Sequence, residues 1–107
     1  MGILDIFRRV DINAEVEACR GTPGAVLLDV RSREEYAGGH IPGSLNLPLD
    51  EISQAARLLP DRAAPVYVYC LRGTRSARAV RALATMGYSR ARSIGGIAAY
   101  RGSVERR

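Results

Sequence analysis

Apolar positions along the chain fall in two kinds of short run, and their alternation predicts the architecture. Residues 25–30 (AVLLDV) form a continuous apolar stretch interrupted by one carboxylate, and residues 65–69 (PVYVY) form a second. Runs of this length, rich in β-branched and aromatic residues, read as strands buried on both faces. Elsewhere the apolar residues recur at helical spacing. Val16 and Cys19 face inward on a helix that Asn13 is expected to cap and Gly21 to close. Ile52, Ala55, Ala56 and Leu59 make one stripe over residues 50–59, stopped by Pro60, and Ala77, Val80, Leu83 and Ala84 make another over residues 76–86, closed by Gly87. Shorter strand candidates lie at 10–12, 44–47 and 92–94, and a last short helix is expected at 97–100.

Punctuation supports this division. Ser32 and Glu35 have the spacing of a capping box, which predicts a helical turn halted by Gly38 and Gly39. Pro42 and Gly43 pair a fixed φ with a residue that tolerates positive φ, the pattern of a type II turn. Strand and helix in alternation predict an α/β domain with a mostly parallel sheet. All 107 residues are read as one domain, with residues 1–9 a flexible or short helical lead-in.

Composition narrows the function. At 107 residues and 47% hydrophobic, the chain can build a core without a disulfide or a structural metal. No apolar run approaches the ~18 residues of a membrane span, and the first ten residues are too short and too charged for a secretory signal. Ile6 stands where the myristoylation motif opened by Gly2 requires Ser or Thr. A cytoplasmic protein without a membrane partner is expected. Cys19 and Cys70 lie far apart, with no paired-cysteine or Cys/His cluster, so neither a zinc site nor a disulfide framework is suggested, and the thiol chemistry read below needs no metal or organic cofactor. All 16 basic residues are Arg and the net charge is +5. Arginine keeps its proton and grips oxyanions through two-point hydrogen bonds, which is compatible with phosphate, sulfate-like or nucleic-acid partners, although biased composition produces the same excess. With 6% aromatic residues and no nucleic-acid motif, specific nucleic-acid binding is not expected.

Ligands of parallel sheets bind beyond the carboxyl ends of strands, which directs attention to Asp29, Val30 and Arg31 and to the segment after Tyr69. There Cys70, Leu71, Arg72, Gly73, Thr74, Arg75 and Ser76 place a thiol at a strand end, a permissive glycine in mid-loop and a helix start just behind. Such a loop curls its N–H groups toward the sulfur, forming an anion nest. The helix dipole and two nearby arginines add positive charge, so a thiolate is expected at neutral pH. Arg72, Arg75, Arg78 and Arg81 recur every three residues and form a cationic stripe that ends at this sulfur. Asp29 interrupts a buried strand and must be partnered, with Arg75 the first choice. His40, ahead of the Pro42 turn, is read as a turn-fixing residue, and Cys19 as inert packing.

Taken in order, Leu28-Asp29-Val30-Arg31, Glu35-Tyr36, the run from Gly39 through His40, Ile41, Pro42 and Gly43 to Asn46, the loop from Cys70 to Ser76, and Gly95-Gly96 resemble the single-domain rhodanese family of sulfurtransferases. The resemblance runs from about residue 10 to residue 102. It implies a parallel five-stranded sheet with helices on both faces. It also implies that Cys70 attacks the outer sulfur of a donor such as thiosulfate, carries that sulfur as a persulfide, and hands it to an acceptor. By the same resemblance Leu71, Arg72, Gly73, Thr74 and Arg75 cradle the substrate, while Asp29, Arg31 and Ser76 support the loop. The implied partners are a small anionic sulfur donor, a thiol or cyanide acceptor reaching an exposed sulfur on a shallow loop, and a sulfur-relay protein. Two positions depart from the pattern: Tyr100 stands near where the family often has Trp, and residues 90–94 are poor in apolar side chains for a buried strand. Two alternatives remain open, a non-catalytic interaction module of the same fold and a cysteine-dependent phosphatase or arsenate reductase. Against the latter, four residues separate Cys70 from Arg75, one fewer than the phosphatase pattern, and Tyr69 stands where those enzymes usually have His.

Overall fold

In the computed structural model, which describes residues 10–107, both long apolar runs are central strands. β1 (Val26–Asp29) lies between β2 (Leu45–Asn46) and β3 (Val66–Cys70), and β4 (Ala91–Gly96) closes the far side. Every neighbouring pair is parallel, with Leu28 opposite Val68 and Leu45, and Val66 opposite Ala91. The expected lead-in at residues 1–9 lies outside the described residues.

Four strands form among the described residues where five were expected. The difference lies at residues 10–12. Asp11 takes an extended conformation and its carboxylate accepts the N–H of Asn13 at 3.0 Å, so it is Asp11 that caps α1 (Ile12–Arg20). An Asp at this point stabilises a helix start more than a strand, and Ile12, expected in the strand, becomes the first buried residue of the helix. The predicted helix at 50–59 also divides. Residues Leu49–Gln54 wind as a 3-10 helix, and only Ala55–Leu58 (α3) are α-helical; of the expected stripe, Ala55 and Leu59 are buried, Ile52 is half-buried and Ala56 is exposed. Elsewhere the punctuation acts as read. Ser32 and Glu35 complete both bonds of the capping box on α2 (Arg33–Gly38), and Gly43 has a φ of +87° in the turn closed by Ser44 N–H on the Ile41 carbonyl at 3.1 Å.

Strand alternation divides the core into two layers. Leu28, Val30, Val66, Val68 and Cys70 face α3 and α4 (Thr74–Thr85), packing with Ala55, Leu59, Ala79, Leu83 and Tyr88. Leu27, Tyr67, Tyr69 and Ile94 face the other way, against Ile12, Val16 and Cys19 of α1 and against Ile41. Helix α4 is rotated from the predicted face: it buries Ser76, Ala79 and Leu83, leaving Ala77 and Ala84 exposed. The rotation follows from Ser76, whose side chain is held under the loop by polar contacts that an apolar pattern does not register. Among the described residues no helix is long and apolar enough to cross a membrane.

Candidate active site

Cys70 ends β3 on the α4 side of the sheet, and after only three intervening residues the chain is helical from Thr74. That sharp entry needs Gly73, whose φ of +112° is a left-handed conformation that L side chains rarely adopt. The turn aims two backbone N–H groups at the sulfur: Gly73 donates to Cys70 Sγ at 3.0 Å and Ser76 at 3.4 Å. The Ser76 hydroxyl lies 3.7 Å from the same sulfur.

The end of β4 forms the other wall. A Cβ on Gly96 would stand 2.0 Å from the Leu71 carbonyl oxygen and 2.4 Å from Arg72 Cα, so the loop rests directly on strand backbone. Ala98 N–H donates to that same Leu71 carbonyl at 3.1 Å. Gly96 is therefore a packing requirement of the thiol loop, whereas Gly95, with open space around it, contributes a φ of +96°.

The sulfur is not exposed as expected: Cys70 retains 1% of its accessible surface. The loop closes over it because its N–H groups point inward. Burial alone pushes the thiol up, but the N–H and hydroxyl of Ser76, the N–H of Gly73 and the N–H of Arg72 outweigh it, and the Cys70 pKa falls below its ordinary value.

The charged residues pair differently from expectation. Asp29 does not meet Arg75. Its carboxylate, fully buried, accepts Arg31 Nε at 3.1 Å on each oxygen, Arg31 Nη2 at 2.7 Å and the Arg31 N–H at 2.8 Å. Strand alternation explains this, since Asp29 stands beside Tyr69 on the α1 side of the sheet while Cys70 faces α4. Arg31 also donates to the Gly39 carbonyl at 2.7 Å, fastening β1 to the segment before Ile41. Arg75 instead forms a two-point pair with Glu35, at 2.7 and 3.0 Å. Glu35 Oε1 also accepts the Ser32 N–H at 2.9 Å, so one carboxylate both caps α2 and anchors the thiol loop. Sequence reasoning assigned Glu35 to the cap alone; nothing in a capping-box pattern signals that the outer face of the carboxylate is free to take an arginine.

Arg72 and Thr74 are exposed at the rim, as are Arg78 and Arg81 along α4. One charge of the predicted cationic stripe, that of Arg75, is already partnered. Beside the loop, Arg75 and Arg78 border a groove of about 590 Å³ floored by Val30, Leu49, Ile52 and Ala82, and Cys70 does not line it. Cys19 is buried on the opposite side of the sheet from Cys70, both thiols are free, and burial pushes the Cys19 thiol up. His40 stacks on Tyr36 with ring centroids 3.7 Å apart, places Nδ1 2.8 Å from the Tyr36 carbonyl, and pairs its backbone with Glu105. Its contacts are structural.

Ser93 was not singled out from the sequence. It projects from β4 toward α4, where its hydroxyl lies 2.7 Å from that of Ser76.

The family model for the rhodanese-like domain matches residues 13–103 of the chain. Thiosulfate sulfurtransferase PspE of Escherichia coli is 38% identical over 71 residues, covering 65% of this chain and 68% of that protein. Human thiosulfate:glutathione sulfurtransferase is 33% identical over 105 residues, covering 86% and 90%. A solved rhodanese with anions from E. coli superposes with a TM-score of 0.72 at 32% identity, over 78% of this chain and 99% of that one.

Proposed function

Because the chain belongs to the rhodanese-like domain family, we propose that it is a sulfurtransferase in which Cys70 carries a sulfane sulfur from a donor such as thiosulfate, or a persulfide, to a thiol or cyanide acceptor. The observation carrying this reading is the convergence of two backbone N–H groups on a buried Cys70 sulfur at the start of α4, in a chain whose relatives include thiosulfate sulfurtransferases.

The chemistry follows from that arrangement. The Cys70 thiolate attacks the outer sulfur of thiosulfate. A new S–S bond forms, the donor S–S bond breaks, and its electron pair leaves with sulfite. The acceptor thiolate then attacks the outer sulfur of the Cys70 persulfide and the electron pair returns to Cys70. The resting thiolate is stabilised by backbone donors already fixed on Cys70 Sγ, and in the persulfide the charge moves one bond further, to the outer sulfur, beside the same loop. Arg72, exposed at the rim, holds the sulfite oxygens as they depart. Asp29 and Arg31 act on the loop indirectly by fixing the end of β1, which pairs with β3, to the segment before Ile41, and Glu35 acts directly through Arg75.

Incubation of the purified protein with thiosulfate or with a low-molecular-weight persulfide, followed by intact-mass measurement, tests the reading. One added sulfur atom is expected on the native chain and none on Cys70→Ser. Absence of the adduct with every donor, or its survival in Cys70→Ser, overturns it.

A further inference from the structure

The Ser76 hydroxyl has one proton and four neighbours placed to receive it: Ser93 Oγ at 2.7 Å, the Gly73 carbonyl at 3.0 Å, the Gly95 carbonyl at 3.5 Å and Cys70 Sγ at 3.7 Å. Two of these only accept. A neutral thiol can donate its own proton to Ser76 Oγ, whereas a thiolate can only receive one. A thiolate therefore gains from the Ser76 hydroxyl, beyond the fixed Ser76 N–H, only while the hydroxyl proton points at it.

Ser93 decides the direction. Among the described residues, the hydrogen-bond partner of the Ser93 side chain is Ser76 Oγ. If Ser76 donated to Ser93, the Ser93 proton would lack a protein partner and Ser76 would have nothing left for the sulfur. If Ser93 donates to Ser76, both protons are used: one fills the Ser76 lone pair, and the other, which rests on the Gly73 carbonyl while the thiol is neutral, can turn to the sulfur once it is an anion. Hydrogen bonds in such a chain polarise one another, which strengthens the last link to a charge.

From this geometry we propose that Ser93 is a positioning residue for Cys70, and that Ser93, Ser76 and the sulfur form a relay of hydroxyl donors that closes when the thiol ionises. The relay gives a use to a polar residue in a strand otherwise expected to be apolar. It deepens the assignment of Cys70 as the sulfur carrier and rests on it. The charged groups around the sulfur belong to Arg72 in the loop and Arg75 on α4, and Arg75 is held by Glu35 of α2. On β1, Asp29 is turned to the other face and held by Arg31. On β4, Arg92 is paired with Glu15 of α1, so β4 brings no titratable group to this side. The 3-10 turn Ile97–Ala99 has none.

The test measures the pH dependence of Cys70 alkylation by iodoacetamide in a Cys19→Ala background, which leaves one reacting thiol. Ser93→Ala is expected to raise the alkylation midpoint by roughly half a pH unit to one unit. Ser93→Thr, which keeps the hydroxyl, is expected to retain the parental midpoint. In a Ser76→Ala background the Ser93→Ala change should have no further effect. Ser93→Val, matching Thr in shape, carries the same comparison if Ser93→Ala fails to fold. An unchanged or lowered midpoint without the hydroxyl, or a Ser93→Thr variant shifted like Ser93→Ala, overturns the relay. The assay reads ionisation of the sulfur and not its transfer, so failure of the sulfurtransferase reading would show separately, as an absent persulfide adduct with the midpoint shift intact.

Discussion

Glu35→Gln keeps the shape of the side chain that anchors the thiol loop and removes its charge. In the native chain the two-point hydrogen bond from Arg75 holds the Glu35 carboxyl down from the ordinary 4.5 to about 2, against an opposing effect of burial. At ~1.4 kcal/mol per pH unit this difference corresponds to about 3 kcal/mol of stability. Both side chains are about one-third exposed, at 35% and 33%, so solvent screening reduces the contribution to about 1–2 kcal/mol. A lowered carboxyl favours folding fully above the unfolded-state pKa and loses that contribution as pH falls toward the folded-state value. The stability gap between the native chain and Glu35→Gln should therefore be constant from pH 7 to about 5, then narrow through pH 4.5 toward pH 2. Urea unfolding at pH 7, 5 and 3.5 reads the gap, and thermal unfolding at pH 7 should show a loss of roughly 5–10 °C. A gap that stays the same down to pH 3.5, or equal stability at pH 7, would refute the reasoning and reduce the pair to a surface contact.

Two further substitutions probe the loop itself. Arg72→Ala should lower kcat/KM for thiosulfate roughly tenfold, the loss of one charge-assisted hydrogen bond, while changing turnover of an uncharged sulfane-sulfur donor little; equal losses for the two donors would rule out an oxyanion role. Gly96→Ala forces a methyl group to within 2.0 Å of the Leu71 carbonyl and should cost on the order of 3 kcal/mol in urea unfolding, with the Cys70 alkylation midpoint rising as the nest opens. Native-like stability together with a native midpoint would contradict the close approach of loop and strand.

Much of the fold was legible because its signals are local. The strands around Leu28 and Val68 follow from continuous apolar runs, the α2 cap from the spacing of Ser32 and Glu35, and the thiol loop from Cys70, Gly73 and the helix behind them. What escaped depends on orientation around an element or contact between distant ones. Asp29 and Arg31 are two residues apart, a spacing that places them on one side only if the strand direction persists past Asp29. Arg75 reaches Glu35 from 40 residues away. Helix α4 turned further than its apolar stripe indicated because Ser76, a polar residue, is wholly buried beneath the loop. At residues 10–12 a β-branched pair suggested a strand, but the capping capacity of Asp11 outweighed it.

Strand β3 ends with two neighbours that look in opposite directions. The Tyr69 phenol accepts the Ile41 N–H and meets Ser44 Oγ, each at 3.1 Å, on one side of the sheet, while the Cys70 thiol enters its nest on the other. Side chains alternate with a period of two, so the division of labour is one of parity: even positions at this strand end serve the loop and odd ones serve the buried polar cluster. A conservative exchange within β3 leaves parity intact. Gain or loss of a single residue there reverses it, presenting a phenol to the nest and a thiol to Ser44. This segment can therefore vary in composition far more readily than in length.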